Sequence, residues 1–206
     1  MCHLGHNPMI DALDVIAELR EYENERIREI HHPLLEKHVG RSTNLLFSFF
    51  EYGNSEALDK VHDSCKLGCA ISIIPGEKLV DIKSKIQERV DSVVEKNEWM
   101  KKNPPELKWV SGVSSASTKT NSDIYKITHK IFANNGTTAK INPLHTSSDI
   151  RNPIIQKGIP TVGFGPICGN LTMCNETNEW LDLEDYYRAL CMTAEIVTTF
   201  CNEGKY

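Results

Sequence analysis

The stretch Gly158-Ile159-Pro160-Thr161-Val162-Gly163-Phe164-Gly165-Pro166 limits the fold most. It is short, apolar and bounded by glycine and proline, so it is predicted to form a buried strand that ends in a loop. Polar clusters lie on both sides of it. Upstream, Ser147-Ser148-Asp149 precedes Ile150-Arg151-Asn152, where a hydroxyl or carboxylate can cap a short helix with Arg151 near its start. Downstream, Asn178-Glu179-Trp180-Leu181 and Asp182 lead into a long amphipathic helix. A buried strand between helices, with polar residues gathered in the loops at its ends, is an α/β edge of the kind that carries chemistry.

Ahead of this edge the chain is organised differently. Asn7-Pro8 supplies an N-cap and a first-turn proline. Ile10, Leu13, Ile16, Ala17 and Leu19 follow at helical spacing, predicting a helix from Asn7 to about Glu29 that stops at His31-His32-Pro33. Asn44 to Gly53 and Cys65 to Ile74 read as strands, the second closed by the turn Pro75-Gly76-Glu77. Val80, Ile82, Ile86, Val90, Val93 and Val94 mark a second amphipathic helix from Leu79 to about Met100, and Leu107 to Val110 reads as one more short strand. Helix, strand, strand, helix, strand is a ferredoxin-like βαββαβ sandwich without its first strand. The Ser/Thr-rich stretch Ser111 to Asn121 then reads as a hinge, giving a first domain over residues 1–110 and a second over 111–206. The second is expected to hold a helix to about Asn134 with Ile124, Ile127 and Ile131 inside, and a strand from Thr137 to Ile141. Its last helix, Glu184 to Phe200, is expected to bury Leu190, Ala194 and Val197. The fold class is α/β (α+β).

With 28 acidic against 23 basic side chains and a net charge of −5, the chain lacks the cationic excess that a general nucleic-acid binder needs. The start carries no charged and apolar leader pattern and no window is long enough in apolar residues to span a membrane, so the expected location is the cytoplasm. Seven cysteines, none in a CxxC pair, suit reduced thiols. His62, Cys65 and Cys69 come closest to a zinc set, but on a strand Cys65, Leu67 and Cys69 share a face as small buried side chains would. His31, His32 and His38 flank a helix stop, and His129 reads as a surface residue.

The order Ser147-Ser148-Asp149-Ile150-Arg151, then Gly158 to Pro166, then Asn178-Glu179-Trp180 before Leu183-Glu184-Asp185-Tyr186-Tyr187 resembles one known pattern. It is similar to the C-terminal segment of the zinc-dependent family containing acetylornithine deacetylase, succinyl-diaminopimelate desuccinylase, aminoacylase and glutamate carboxypeptidase. The Pro75-Gly76-Glu77 turn resembles that of the lid, or dimerisation domain, which these enzymes insert into their catalytic domain. The resemblance implies an incomplete lid followed by the C-terminal portion of an α/β zinc-peptidase catalytic domain, and a homodimer formed through the lid. It implies a substrate pocket lined by His145, Ser148, Asp149, Arg151 and Gly165, beside Ser147. There Arg151 pairs with the carboxylate of an N-acyl amino acid or small peptide. Against that stands a local reading in which Asp149 caps the helix and Arg151 pairs with a nearby acid.

Two zinc ions are implied for the full-length family, yet this chain departs from the ligand pattern. Asn175 stands where a zinc-binding His is expected ahead of Glu179 and Trp180, and an amide is a poor zinc ligand. Asp59 replaces a lid Asn, and Ser72 replaces an Arg before the Pro-Gly-Glu turn. The lid strand and its His would fall before Met1, leaving His3 and His6 as loop residues. The chain has no His-x-Asp and no Glu-Glu dipeptide. The expectation is therefore a C-terminal fragment or truncated relative of an amidohydrolase, with no catalytic residue, no metal ligand and no cofactor of its own, inactive alone. The alternative is a non-catalytic dimerisation or scaffold protein derived from that family.

Overall fold

The computed structural model describes residues 5–137, 141, 143, 148–169 and 177–203. The chain divides into two compact units, Met1–Ser115 with Pro143–Ser147, and Ala116–Asn142 with Ser148–Tyr206. Mixed helix and antiparallel sheet make it an α+β fold.

In the first unit, α1 (Pro8–Glu29) opens on Asn7, whose side chain accepts from the Met9 amide at 3.0 Å. Its buried face is Leu19, Tyr22 and Arg26. Ile10 and Leu13, placed on that face by periodicity, are half exposed at 50% and 49%. The inward stripe therefore occupies the C-terminal half of the helix, where sheet and second helix reach it. Pro33 does more than stop α1: it opens α2 (Pro33–Val39), capped by the His32 ring, which accepts from the Leu35 amide, and ended by Gly40 at φ 87°.

β1 (Leu45–Tyr52) and β2 (Cys65–Ile71) pair antiparallel from Leu45 opposite Ile71 to Tyr52 opposite Cys65, with an irregularity between Phe47 and Phe49. The helix expected to reach Met100 is two helices, α3 (Leu79–Val94) and α4 (Glu98–Lys102). Asn97 makes the break by accepting from the amides of Trp99 and Met100 at 2.9 and 3.1 Å. Leu19, Tyr22, Leu45, Ile82 and Ile86 form the core of this unit.

Leu107 to Val110 is not a strand. Leu107 packs against the core, but Val110 is 96% exposed and the segment joins no ladder. Pro104-Pro105 just before it withholds two amide donors.

A buried ion pair locks α1 to the turn after β2. Arg26 donates to both Glu77 oxygens, at 2.6 and 3.0 Å, and to the Ser72 carbonyl at 3.0 Å. Burial opposes the Arg26 cation, but the bonds and charge of Glu77, with a smaller share from Tyr22, outweigh it and hold the group above its ordinary value. Glu77 also accepts from the Ile74 amide at 3.0 Å. The Pro-Gly-Glu turn thus ends on a residue that closes the fold.

In the second unit, which also holds α6 (Arg151–Lys157), α5 (Asp123–Asn134) and α7 (Leu183–Glu203) share a core of Ile127, Ile131, Met192 and Ile196. Two expectations fail here. Leu190 and Val197 are 55% and 56% exposed, because α7 turns Ala189, Met192 and Ile196 inward instead. Gly158 to Pro166 is neither a strand nor buried: Gly158 is the left-handed cap of α6, and Ile159 is 54% exposed. No described strand lies beside it. Thr118 serves in place of a ladder, its hydroxyl donating to the Thr161 carbonyl at 2.5 Å and accepting from the Thr161 amide at 3.1 Å. The strand expected at Thr137 to Ile141 falls mostly on residues outside the described ones. Among the described residues no helix is long and apolar enough to cross a membrane.

Candidate functional site

The turn from Ser148 into α6 holds the described part of the expected pocket. The Ser148 carbonyl accepts from the Arg151 amide at 3.3 Å, and the Asp149 carbonyl accepts from the Asn152 amide at 3.0 Å. These bonds fold the chain back on itself and bring Ser148, Asp149 and Arg151 together. Asp149 is not the helix cap: Ile150 holds that position, without a side-chain capping bond. The Asp149 carboxylate, 95% exposed, instead accepts from the Asn152 side chain at 3.3 Å.

Arg151 is the better-held group. Its side chain is 20% exposed, and Nη1 donates to the Ser148 carbonyl at 2.6 Å. Asp149 lies at 4.0 Å from Nη1, too far for a hydrogen bond and near enough for weak attraction. Among the described residues Nε and Nη2 have no hydrogen-bond partner.

Gly163 passes Ile150 closely, with Ile150 Cγ2 at 3.6 Å from where a β-carbon would sit, so the glycine run lies beside the start of α6. A β-carbon at Gly165 would meet nothing within 4 Å. His145, Ser147 and Asn175 lie outside the described residues.

Trp180 is half exposed, and its carbonyl accepts from the Gly169 amide at 3.1 Å, next to the bridge between Cys168 and Leu181. Glu179 beside it is exposed.

The other candidates have local partners. Ser72 exchanges bonds with Asn44, accepting from its amide at 2.7 Å and donating to its carbonyl at 3.3 Å. Asp59 is exposed. His3 lies outside the described residues. His6 bonds to the Asp11 carboxylate and stacks on Trp99, ring centroids 4.7 Å apart, while Asn97 donates to the other Asp11 oxygen at 2.8 Å. His62 packs edge-on to Tyr52 rather than with Cys65 and Cys69. Burial pushes both of those thiols up, away from the thiolate a metal requires.

Among the described residues no group of three or more His, Cys, Asp or Glu side chains could hold a metal. Within the described residues the donors thus do not fit a zinc pair.

One feature of this unit carries no sequence motif. Thr120, Tyr125, Lys126, His129 and Lys130 line a hollow of about 300 Å³ on α5, and Arg151 is not among its walls. Its only trace in the sequence is the i, i+4 repeat of Tyr125 with His129 and of Lys126 with Lys130.

The fold is similar to that of part of a solved metallo-carboxypeptidase. A solved M20 family metallo-carboxypeptidase, Sso-CP2 from Sulfolobus solfataricus, matches 95% of this chain and 53% of its own at a TM-score of 0.63. At 17% identity this likeness establishes the fold. Among curated proteins, an N-formyl-4-amino-5-aminomethyl-2-methylpyrimidine deformylase from Halalkalibacterium halodurans is 28% identical over 169 residues, which is 77% of this chain and 38% of the deformylase. The chain thus spans about two fifths of that relative and about half of the carboxypeptidase. No family model matches.

Proposed function

We propose that this chain is the lid and C-terminal portion of an amidohydrolase of the metallopeptidase class. In this reading it supplies substrate-binding walls, while polypeptide outside these 206 residues supplies the metal ligands and the base. Two similarities support it: the fold of a metallo-carboxypeptidase and the sequence of a deformylase. The substrate class is an N-acyl amino acid or small peptide whose carboxylate meets Arg151. The guanidinium anchored on the Ser148 carbonyl is the single observation that carries this assignment. Ser148, Asp149 and Gly165 belong to the same wall in this reading.

A metal-activated water and a carboxylate base are the chemistry such a hydrolase requires. What this chain contributes is orientation of the acyl donor through its carboxylate. Homodimerisation through the lid belongs to the same reading, because among the described residues each strand of the two-stranded sheet has an edge without a strand partner.

Calorimetric titration of N-acetyl amino acids tests the assignment. Binding is expected to weaken roughly 10- to 100-fold in Arg151→Ala, the scale of hydrogen bonds to a charged group. Unchanged affinity in a folded Arg151→Ala protein would remove Arg151 from the site.

A further inference from the structure

The hollow on α5 has a composition at odds with the rest of the molecule. The chain is acidic overall, at −5. Yet the described walls of this hollow are two lysines, a histidine and two hydroxyl side chains, with no carboxylate. The helix sets the pattern: Tyr125 and His129 share one row, their rings stacked at 6.3 Å, and Lys126 and Lys130 share the next.

Among the described residues neither lysine makes an ion pair, as is true of most lysines of this chain; only Lys66, Lys85, Lys101 and Lys108 do. An adjoining hollow of about 440 Å³ shares the two lysines and adds Asp123 and Glu203. Even there no pair within 4 Å forms. Among the described residues the two ammonium groups thus have no carboxylate within 4 Å, with Asp123 and Glu203 the nearest acids lining the adjoining hollow.

We propose that this hollow binds a phosphate-type oxyanion. Each lysine offers up to three donors, and Thr120, Tyr125 and His129 can each offer one. That number exceeds what the two oxygens of a carboxylate can accept and suits the three or four oxygens of a phosphate. Lysines act on phosphate as point charges, so flexible arms on a helix surface serve the purpose. Asp123 and Glu203 bound the site on one side and lower its potential, which makes the affinity modest and strongly salt-dependent. The ligand proposed is one phosphoryl group, free or as the end of a phosphate monoester. The site is separate from the Arg151 turn and does not depend on the hydrolase assignment.

The test is a titration of the full chain with inorganic phosphate at fixed ionic strength, read by NMR on the amides of α5 and the ring of His129. Saturable shifts at Thr120, Tyr125 and His129 are expected. Lys126→Gln with Lys130→Gln should weaken them roughly tenfold or more while leaving helicity and Tm unchanged. Acetate at equal concentration should bind at least about tenfold more weakly, since it presents fewer oxygens. Shifts that stay linear to about 50 mM, that acetate or chloride reproduces, or that survive the double substitution would overturn the proposal.

Discussion

In the first unit, α1 and α3 lay Leu19, Tyr22, Ile82, Ile86 and Val90 over a paired β1 and β2, and charged residues fasten the seam. Arg26 bonds Glu77, and Arg89 bonds both Glu18 and Glu25 on α1 while its guanidinium lies over Tyr22 at 5.4 Å. In the second unit, α5 and α7 share Ile127, Ile131, Met192 and Ile196, and no described strand layer backs them. The same α7 leaves Leu183, Tyr187, Leu190 and Val197 at 55% exposure or more, a second apolar stripe at helical spacing. A helix apolar on two sides is suited to being covered on two sides. The first unit buries more side chains, although Leu46, Phe49 and Phe50 of β1 stay exposed, and the second leaves the α7 stripe uncovered among the described residues. Hydrogen exchange should accordingly be slower in α1 and α3 than in α5 and α7.

The largest way to break this contrast is Glu77→Ala. It strands a buried guanidinium, and the expected cost to the first unit is about 3–5 kcal/mol in denaturant titrations, the scale for breaking a buried pair. Next, Met192→Ala should cost the second unit about 2–4 kcal/mol and lower the protection of α5 and α7 amides while α1 and α3 keep theirs. Equal loss in both units would show one cooperative core. Asn97→Ala removes the α4 cap and the tie to Asp11, for about 1–2 kcal/mol by thermal unfolding. Leu190→Glu with Val197→Lys should change stability by no more than about 0.5 kcal/mol, since both side chains are exposed, yet lower the binding of a hydrophobic dye.

The smallest effect concerns pH. The Glu36 side chain, helped by the Arg28 carbonyl, holds His31 above its ordinary value, and the bond from His31 holds Glu36 below its own. A raised His stabilises below its unfolded pKa and loses that as pH rises through the folded one. A lowered Glu stabilises above its unfolded pKa and loses that as pH falls through the folded one. The contact is therefore strongest from about pH 4.5 to 6.5. In Glu36→Gln the NMR titration midpoint of His31 should fall back toward its usual range.

Features set by neighbours in the chain were legible in the sequence. Asn7-Pro8 opens α1, the Ile82-Ile86-Val90-Val93 stripe faces inward, and Pro75-Gly76-Glu77 follows β2. Features set by distant partners were not. Gly158 to Pro166 has the composition of a buried strand, but a strand exists only beside another, and here Thr118 is its neighbour. On α7 the stripes Ala189-Met192-Ile196 and Leu190-Ala194-Val197 are both apolar, so periodicity alone could not choose the inward one. At the site, the spacing from Ser148 to Arg151 correctly suggested a helix start, while the cap assigned to Asp149 failed because its side chain turns to Asn152. Arg26 was missed altogether, since a charged residue on a helix is ordinarily read as solvated until a Glu from a distant turn reaches it.

The claim on which this account rests is that the chain holds substrate without carrying the hydrolytic machinery. The direct measurement is N-acyl amino acid hydrolysis by the purified chain in zinc-containing buffer, run beside a binding titration of the same compounds. Saturable, Arg151-dependent binding with hydrolysis at the rate of buffer is the result expected. Zinc-dependent turnover by the chain alone, abolished by a chelator, would contradict it.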